Sequence, residues 1–373
     1  MRIVNANLFT DGAFRMGSIE FDTKITGLGP ADLPGDLDAG GDYVIPGLID
    51  IHTHGAVGED ASDGRPEGLN AMSRYYAARG VTSWCPTTMT LKEPELLKAA
   101  ETIRDFRRPE NGAKIAGMNL EGPFLCHAKR GAQAAENLHA PDIAMFRRLN
   151  AASGGQIRLV TVACEEPGAL DFIRAASKEC TVSLGHTTAD YDTAMAACDA
   201  GASHVTHLFN AMPGLHHRSP GVIGAAADAG TTVELICDGL HIHPAVIRMT
   251  YRMFGPKLAM ISDSLRCAGM PDGDYTLGGQ SITMKEGRAV LAGTDTLAGS
   301  SIHLMDALRH TVSFGIPLEA AVASVTGIPA HVIGREKEIG TLQVGACADL
   351  CILDPELNLK AVFIDGKERR TSL

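Results

Sequence analysis

Through the middle of this chain, apolar runs of strand length alternate with stretches of helix length, and that alternation limits the fold more than any other feature. Runs rich in β-branched residues fall at 44–51, 81–85, 114–120, 157–163, 180–184, 203–208, 232–237 and 258–261. Helical stretches separate most of them, at 66–79, 93–106, 141–150, 168–178 and 189–200. Parallel strands need long crossovers and helices supply them, so the pattern reads as α/β with a parallel sheet. Eight strands at this spacing match a TIM-like (β/α)8 barrel, and a doubly wound open sheet also fits the periodicity. No Gly-x-Gly-x-x-Gly follows the first buried strand, which removes the usual dinucleotide-binding reading.

The two ends of the chain differ from the middle. IVNANLFT, MGSIEFD and ITGLG near the start read as short strands, as do ADLCILD and LKAVFIDGK near the end, the last with an Asp-Gly turn signal. The expected organisation is a barrel domain of residues 44–338 and a small β-sandwich domain built from both termini, residues 1–43 and 339–373.

Charge and cysteine usage narrow the function classes. A net charge of −11 disfavours a general nucleic-acid binder, but one local pocket can still be positive and hold an anionic small molecule. The nine cysteines cannot all pair within one chain, none forms a Cys-x-x-Cys, and Cys85, Cys164, Cys237 and Cys351 lie inside apolar runs. They read as reduced, mostly buried thiols in a cytoplasmic protein. The first residues show no basic region before an apolar stretch, and no run is long enough to span a bilayer, so no membrane partner is expected.

The chemistry lies in the polar residues that end the buried runs. IPGLIDIHTH ends in His52 and His54, AGMNLEGPF carries Glu121, TVSLGH ends in His186, and HVTHLFNAM carries His207 and Asn210. ELICDGLH carries Asp238 and His241, and AMISDS carries Asp263. In a barrel all these carboxyl ends converge on one face. His52 and His54 are two apart, which on a strand places both imidazoles on one face, an arrangement suited to a divalent transition metal. Alone, a His-x-His arises as readily from chance or packing, and a single His186 or His207 is as readily a hydrogen-bonded core histidine. The signal is the set. A buried Glu121 needs a counter-charge, and a metal supplies one. A carboxylate such as Asp263 beside an activated water can take its proton and later deliver it to a leaving group. Arg218, in HHRSPG, carries a fork suited to phosphate, although an exposed loop arginine is the commoner case. His241 is a second candidate phosphate donor. The other nine of the fourteen histidines (His127, His139, His204, His216, His217, His243, His303, His310 and His331) carry no site argument.

The stretches IPGLIDIHTHG, LEGPFL, LGHT, VTHLFNAM, RSPG, ICDGLH, ISDS, LAGS and GTLQVGACADLCILD resemble, in order, those of the metal-dependent amidohydrolases. Within that superfamily they are most similar to the N-acetylglucosamine-6-phosphate deacetylase family. The resemblance spans nearly the whole chain, and LEGPFL, THLFNAM and DGLH together make it specific. It implies a barrel with a small β domain and a metal site from Glu121, His186 and His207. It implies a second ion at His52 and His54, with Asp263 as ligand and catalytic acid/base. Zinc leads among one or two divalent ions per subunit, and iron, manganese and cobalt suit the same donors. Substrate contacts would come from Ala132, Gln133, Asn210, Ala211, Arg218, Asp238, His241, Leu297, Ala298 and Gly299. The implied activity converts N-acetyl-D-glucosamine 6-phosphate to D-glucosamine 6-phosphate and acetate, in amino-sugar catabolism or recycling, by a homodimer. One position departs from the pattern: Gln133 stands where the family has a histidine, and glutamine donates a neutral hydrogen bond but cannot become cationic. The competing readings are an N-acetylgalactosamine-6-phosphate deacetylase, a hydrolase of N-acyl amino acids or cyclic amides, and an inactive barrel serving as a binding protein. The intact ligand set weighs against the last.

Overall fold

Alternate residues of the terminal strands are apolar, and burying that face brings the two ends of the chain together. In the computed structural model, which describes residues 1–369, they share one sheet. Its order is Lys367–Arg369, Leu359–Ile364, Leu350–Leu353, Tyr43–Pro46, Arg2–Thr10, Ala13–Phe21 and Ile25–Gly29, with Leu37–Asp38 also paired to Arg2–Thr10. Ile3, Leu8, Ile19, Phe21, Val44, Leu350, Ile352 and Phe363 join in an apolar cluster of their own. The sheet turns back on itself, so that Lys24 bridges Cys347 and Ile25 N–H donates to Ala346 O at 2.9 Å. The final four residues of the expected C-terminal segment, 370–373, lie outside the described residues.

The middle of the chain forms two parallel sheets. One holds Lys114–Ile115, Val81–Pro86 and Leu48–Thr53 in that order. The other runs Met118–Leu120, Ile157–Val162, Thr181–Leu184, His204–Val205, Thr232–Ile236 and Leu258–Ile261. They meet along both edges. Thr87 bridges Asn119 on one side. On the other, Asp263 N–H donates to His52 O at 3.0 Å and His54 N–H to Ser264 O at 2.9 Å. The helices Pro66–Ala77, Glu93–Arg104, Ile143–Ala152, Ala169–Ala176 and Tyr191–Ala200 stand within a few residues of their expected places. Their apolar faces, with Leu69, Met72, Leu96, Phe146, Phe172 and Ile173, pack into the largest core cluster. A separate cluster joins Ile49, Ile51, Leu159, Ile236, Ala259 and Ile261 across the parallel strands.

Three expected strands differ, each for a local reason. The run 44–51 is two strands in different sheets, broken at Gly47, whose N–H donates to Asp349 O. A Cβ on Gly47 would stand 2.2 Å from Thr82 Cγ2, so only glycine lets the chain cross that close. The run 114–120 changes partner half-way: Lys114 and Ile115 pair with Ser83 and Trp84, then Met118–Leu120 pairs with Ile157–Val162. The run 203–208 shortens to His204–Val205, because the chain turns at His207, with φ +26°. An antiparallel sheet of Gly273–Leu277, Gln280–Lys285 and Arg288–Leu291 has no counterpart in the sequence reading. Its two turns, Gly278–Gly279 and Glu286–Gly287, have both residues at positive φ, as tight hairpins require. No helix among the described residues is long and apolar enough to cross a membrane, and all nine cysteines are free.

The Asp-Gly signal near the end is a hairpin turn of the same kind, with φ +49° at Asp365 and +69° at Gly366. A Cβ on Gly366 would fall 1.5 Å from Asp22 O. Gly366→Ala is therefore expected to lower the unfolding free energy by at least about 3 kcal/mol. Urea denaturation followed by circular dichroism checks this, and an unchanged midpoint would contradict the packing of the turn.

Candidate active site

Glu121 follows Met118–Leu120 directly and is only 2% exposed. A carboxylate this far from water must be met by donors or by opposite charge. Four imidazoles meet it. On Oε1, His207 Nε2 stands at 3.0 Å, His186 Nε2 at 3.2 Å and His52 Nε2 at 3.5 Å. On Oε2, His54 Nε2 stands at 3.2 Å. Asp263 Oδ1 closes the group, 3.3 Å from His54 Nε2 and 3.6 Å from His52 Nε2.

This donor set fits a divalent cation. His186 Nε2 and His207 Nε2 are 3.1 Å apart with the Glu121 oxygen beside both. Around a tetrahedral zinc with bonds of about 2.0–2.1 Å, neighbouring donor atoms stand about 3.3 Å apart. His52 Nε2, fully buried, has no hydrogen-bond partner and faces the same centre. Two overlapping groups result, Glu121 with His186 and His207, and Glu121 with His52 and His54.

The far side of the ring explains the aim of three of the four, His207 Nδ1 being buried without a partner. His186 Nδ1 is 2.8 Å from Lys129 O, and His54 Nδ1 is 3.2 Å from Thr87 O. A carbonyl oxygen only accepts, so Nδ1 carries a proton in both and the Nε2 lone pair of the neutral ring is free for the centre. His52 Nδ1 is held instead by a buried carboxylate, Glu234, at 2.9 Å. The backbone helps too. His186 and Asp263 sit at φ +48° and +49°, and His207 at +26°, in the left-handed region that non-glycine residues avoid. Each conformation costs about 1–2 kcal/mol, and it turns the side chain off the end of a strand.

The electrostatics follow from burial and proximity. Burial disfavours a charged His52, but Glu234 and Glu121 outweigh it and hold the pKa well above the usual value. Burial likewise opposes the charge on His54, yet Asp263 and Glu121 raise its pKa to about 9. Burial pushes Glu121 up, and the charges on His52 and His186 more than reverse this, leaving it well below the usual carboxylate range. Asp263 is also lowered, because the hydrogen bond from His54 and the charge on His52 exceed the effect of burial. Protons on the imidazoles and a divalent ion are thus alternative answers to the same buried negative charge.

Above the centre lies a cavity of about 370 Å³. His54, Glu121, His186, His207 and Asp263 line it, together with Ala132, Gln133, Asn210, Ala211, His241, Leu297, Ala298 and Gly299. His52 stands outside this lining, among the buried groups. Asp238 also stands outside but orients His241, with Oδ2 2.7 Å from His241 Nδ1. Arg218 does not line the cavity: it sits exposed on a turn, its guanidinium 2.7 Å from His217 Nε2. Gln133 is buried, donates to Glu121 Oε2 at 2.8 Å and accepts from Thr90 N–H at 2.7 Å. Sequence reasoning missed Glu234, Lys129 and Leu277. For Glu234 a signal existed: it is the lone carboxylate in TVELI, two residues before Ile236 of the cavity wall. Nothing in the sequence marks Lys129 or Leu277.

Residues 43–369 match the amidohydrolase family. An N-acetylglucosamine-6-phosphate deacetylase of Bacillus subtilis is 38% identical, over 89% of this chain and 86% of its own. An N-acetylgalactosamine-6-phosphate deacetylase of Escherichia coli O157:H7 is 35% identical, over 87% of each. Among solved structures, the N-acetyl-D-glucosamine-6-phosphate deacetylase of Mycobacterium smegmatis, as a mutant in complex with N-acetyl-D-glucosamine-6-phosphate, superimposes with a TM-score of 0.93. It is 33% identical, over 99% of this chain and 98% of that one. The chain belongs to the amidohydrolase family, and within it is a relative of the N-acetylglucosamine-6-phosphate deacetylases.

Proposed function

We propose that this protein removes the acetyl group from N-acetyl-D-glucosamine 6-phosphate, releasing D-glucosamine 6-phosphate and acetate. The observation that carries the reading is the convergence of four histidines and Asp263 on Glu121 at the floor of an open cavity. The substrate assignment is supported by the Bacillus relative and by the sugar phosphate held in the mycobacterial structure. Glu121, His186 and His207 would hold one divalent ion, zinc foremost, and His52, His54 and Asp263 a second. When bound, the ion supplies Lewis acidity for the amide carbonyl and for water.

The rest is the work of side chains. Asp263, kept ionised by His54 and His52, accepts a proton from the attacking water. The hydroxide oxygen bonds to the carbonyl carbon, the C–N bond breaks, and Asp263 returns the proton to the departing amine. Gln133, tied to Glu121 and Thr90, steadies the ligand carboxylate. We assign the phosphate to His241, steered by Asp238, and to Arg218 from its exposed turn. Ala132, Asn210, Ala211, Leu297, Ala298 and Gly299 are assigned to the sugar. Binding energy from a phosphate remote from the reacting bond orients the amide.

We also infer that the two parallel sheets make one closed (β/α)8 barrel. The joined edges support this, as does an apolar cluster shared by Leu48–Thr53 and Ile157–Val162, which are not neighbours in either sheet. The barrel would lie within the expected residues 44–338, except that Tyr43–Pro46 pairs with Arg2–Thr10 and Leu350–Leu353 and so joins the small β-sandwich expected from 1–43 and 339–373. We further propose a homodimer, as the family resemblance implies, and a cytoplasmic location, as the free thiols suggest.

Asp263→Asn is expected to lower kcat by at least about 10³-fold while the protein, checked by elemental analysis, keeps the ion assigned to Glu121, His186 and His207. Substantial residual turnover would sink the assignment. Arg218→Ala is expected to raise KM for the sugar phosphate by about 10- to 100-fold and to leave that for the unphosphorylated sugar unchanged. Acetate release from N-acetylglucosamine and N-acetylgalactosamine, each with and without the 6-phosphate, tests the substrate. A preference for the galactose epimer, or indifference to phosphate, would overturn it.

A further inference from the structure

Glu234 lies in the middle of Thr232–Ile236, is 0% exposed, and takes no part in the reaction described above. Its Oε2 stands 2.9 Å from His52 Nδ1 and also accepts the His207 backbone N–H at 3.1 Å. One oxygen therefore touches both halves of the donor set, His52 of one group and His207 of the other. Its Oε1 is 3.2 Å from Nε2 of His204, another fully buried histidine, whose Nδ1 is 2.7 Å from Thr232 Oγ1. The flanking Val233 and Leu235 are apolar and belong to the core cluster packed against the helices. An apolar residue at 234 would satisfy the strand pattern without the desolvation of a carboxylate, so the charge calls for a reason beyond packing.

The reason is on the far side of His52. An ionised carboxylate only accepts hydrogen bonds, so the proton of this contact sits on Nδ1. That leaves Nε2 as the lone-pair donor, and Nε2 is the buried atom without a hydrogen-bond partner that faces Glu121 and Asp263. The same grip holds the His207 amide at its unfavourable φ of +26°. We propose that Glu234 is a positioning residue: it locks His52 with Nδ1 protonated and Nε2 toward the centre, and thereby sets the affinity of the His52 and His54 half for a divalent cation. The second part of this rests on the metal reading above. Losing such an outer partner commonly weakens metal binding by about 10- to 100-fold.

Two variants of the full chain test it. Glu234→Gln keeps the size and a carbonyl that still accepts the His207 N–H, but not the charge. Glu234→Asp keeps the charge and withdraws it by one methylene. Ring ¹⁵N NMR on histidine-labelled, cation-free protein reads whether His52 Nδ1 carries a proton held by Glu234, irrespective of the state of Nε2, with the signal identified by its loss in His52→Asn. Zinc titration by calorimetry reads affinity, and thermal melting reports folding. We expect wild-type His52 to be protonated on Nδ1 with a strongly downfield proton. In both variants that signal shifts or disappears, and zinc at the His52 and His54 half binds about 10- to 100-fold more weakly. Zinc at the Glu121, His186 and His207 half changes less than the other half. Wild-type His52 with no proton on Nδ1 overturns the proposal. So do folded variants in which the Nδ1–H signal and zinc affinities are unchanged, and that result leaves the metal reading intact. A Glu234-dependent Nδ1–H signal in a wild-type protein that binds no zinc upholds the positioning role and overturns the metal reading instead.

Discussion

An ionised carboxylate taken out of water costs several kcal/mol unless opposite charge stands in contact with it. Glu121, 2% exposed, imposes that requirement on the middle of this molecule. The response is drawn from the ends of several parallel strands: His52 and His54 from the first, His186 and His207 from later ones, Asp263 from the last. Glu234 and Asp50 add further buried acid below. Burial raises the Asp50 pKa to about 6, against hydrogen bonds from Ser262 and the His52 backbone. The layer is rich in acceptors and poor in fixed cations, and imidazole is neutral or charged according to its surroundings. Such a layer is stable as a set of protonated histidines or as the wall of a cation site, and the donor spacing suits the second.

Parallel pairing makes this convergence possible. Every strand of the two parallel sheets points the same way, so residues far apart in sequence end at one level. His52 and Asp263 are neighbours because the first and last strands are joined there, through Asp263 N–H to His52 O. Strand geometry alone would send successive side chains to opposite faces. The left-handed residues at His186, His207 and Asp263 break that alternation where an inward side chain is needed. The strain persists because the flanking backbone is held on both sides. At Asp263 the N–H is tied to His52 O, and the carbonyl accepts from Ser300 N–H at 2.7 Å.

Local patterns were legible in the sequence and non-local ones were not. Buried strands announce themselves by apolar runs, and a His, Glu or Asp after such a run announces a site, because both signals live within ten residues. The hand-over at Gly47 and the change of partner within 114–120 depend on which strand lies alongside, which no run of residues records. The hairpins at Gly278–Gly279 and Glu286–Gly287 carried readable turn signals, but the place of Leu277, beside the first, in the cavity wall did not. Gln133 could be read only as a neutral donor; its bonds to Glu121 and Thr90 are contacts between three loops. Glu234 was hidden for the opposite reason. A lone acid in a strand reads as a solvent-facing residue until the strand is known to be covered on both faces.

In the reaction proposed above, Asp263 would be both a hydrogen-bond partner of the donor set and a base. Those tasks conflict if the side chain must travel, since leaving His54 would expose a buried charge on each. Its backbone is pinned on both sides, and it already lines the cavity, so little travel is required. A proton accepted there would remove its charge while Glu121 still stands against His54 and His52. Dipoles and charges set in place by folding need no reorganisation when the reaction reaches them, and that is where an active site gains most over water. The strain at Asp263, the outer carboxylate behind His52 and the carbonyls behind His54 and His186 serve one end: fixing donors before substrate arrives.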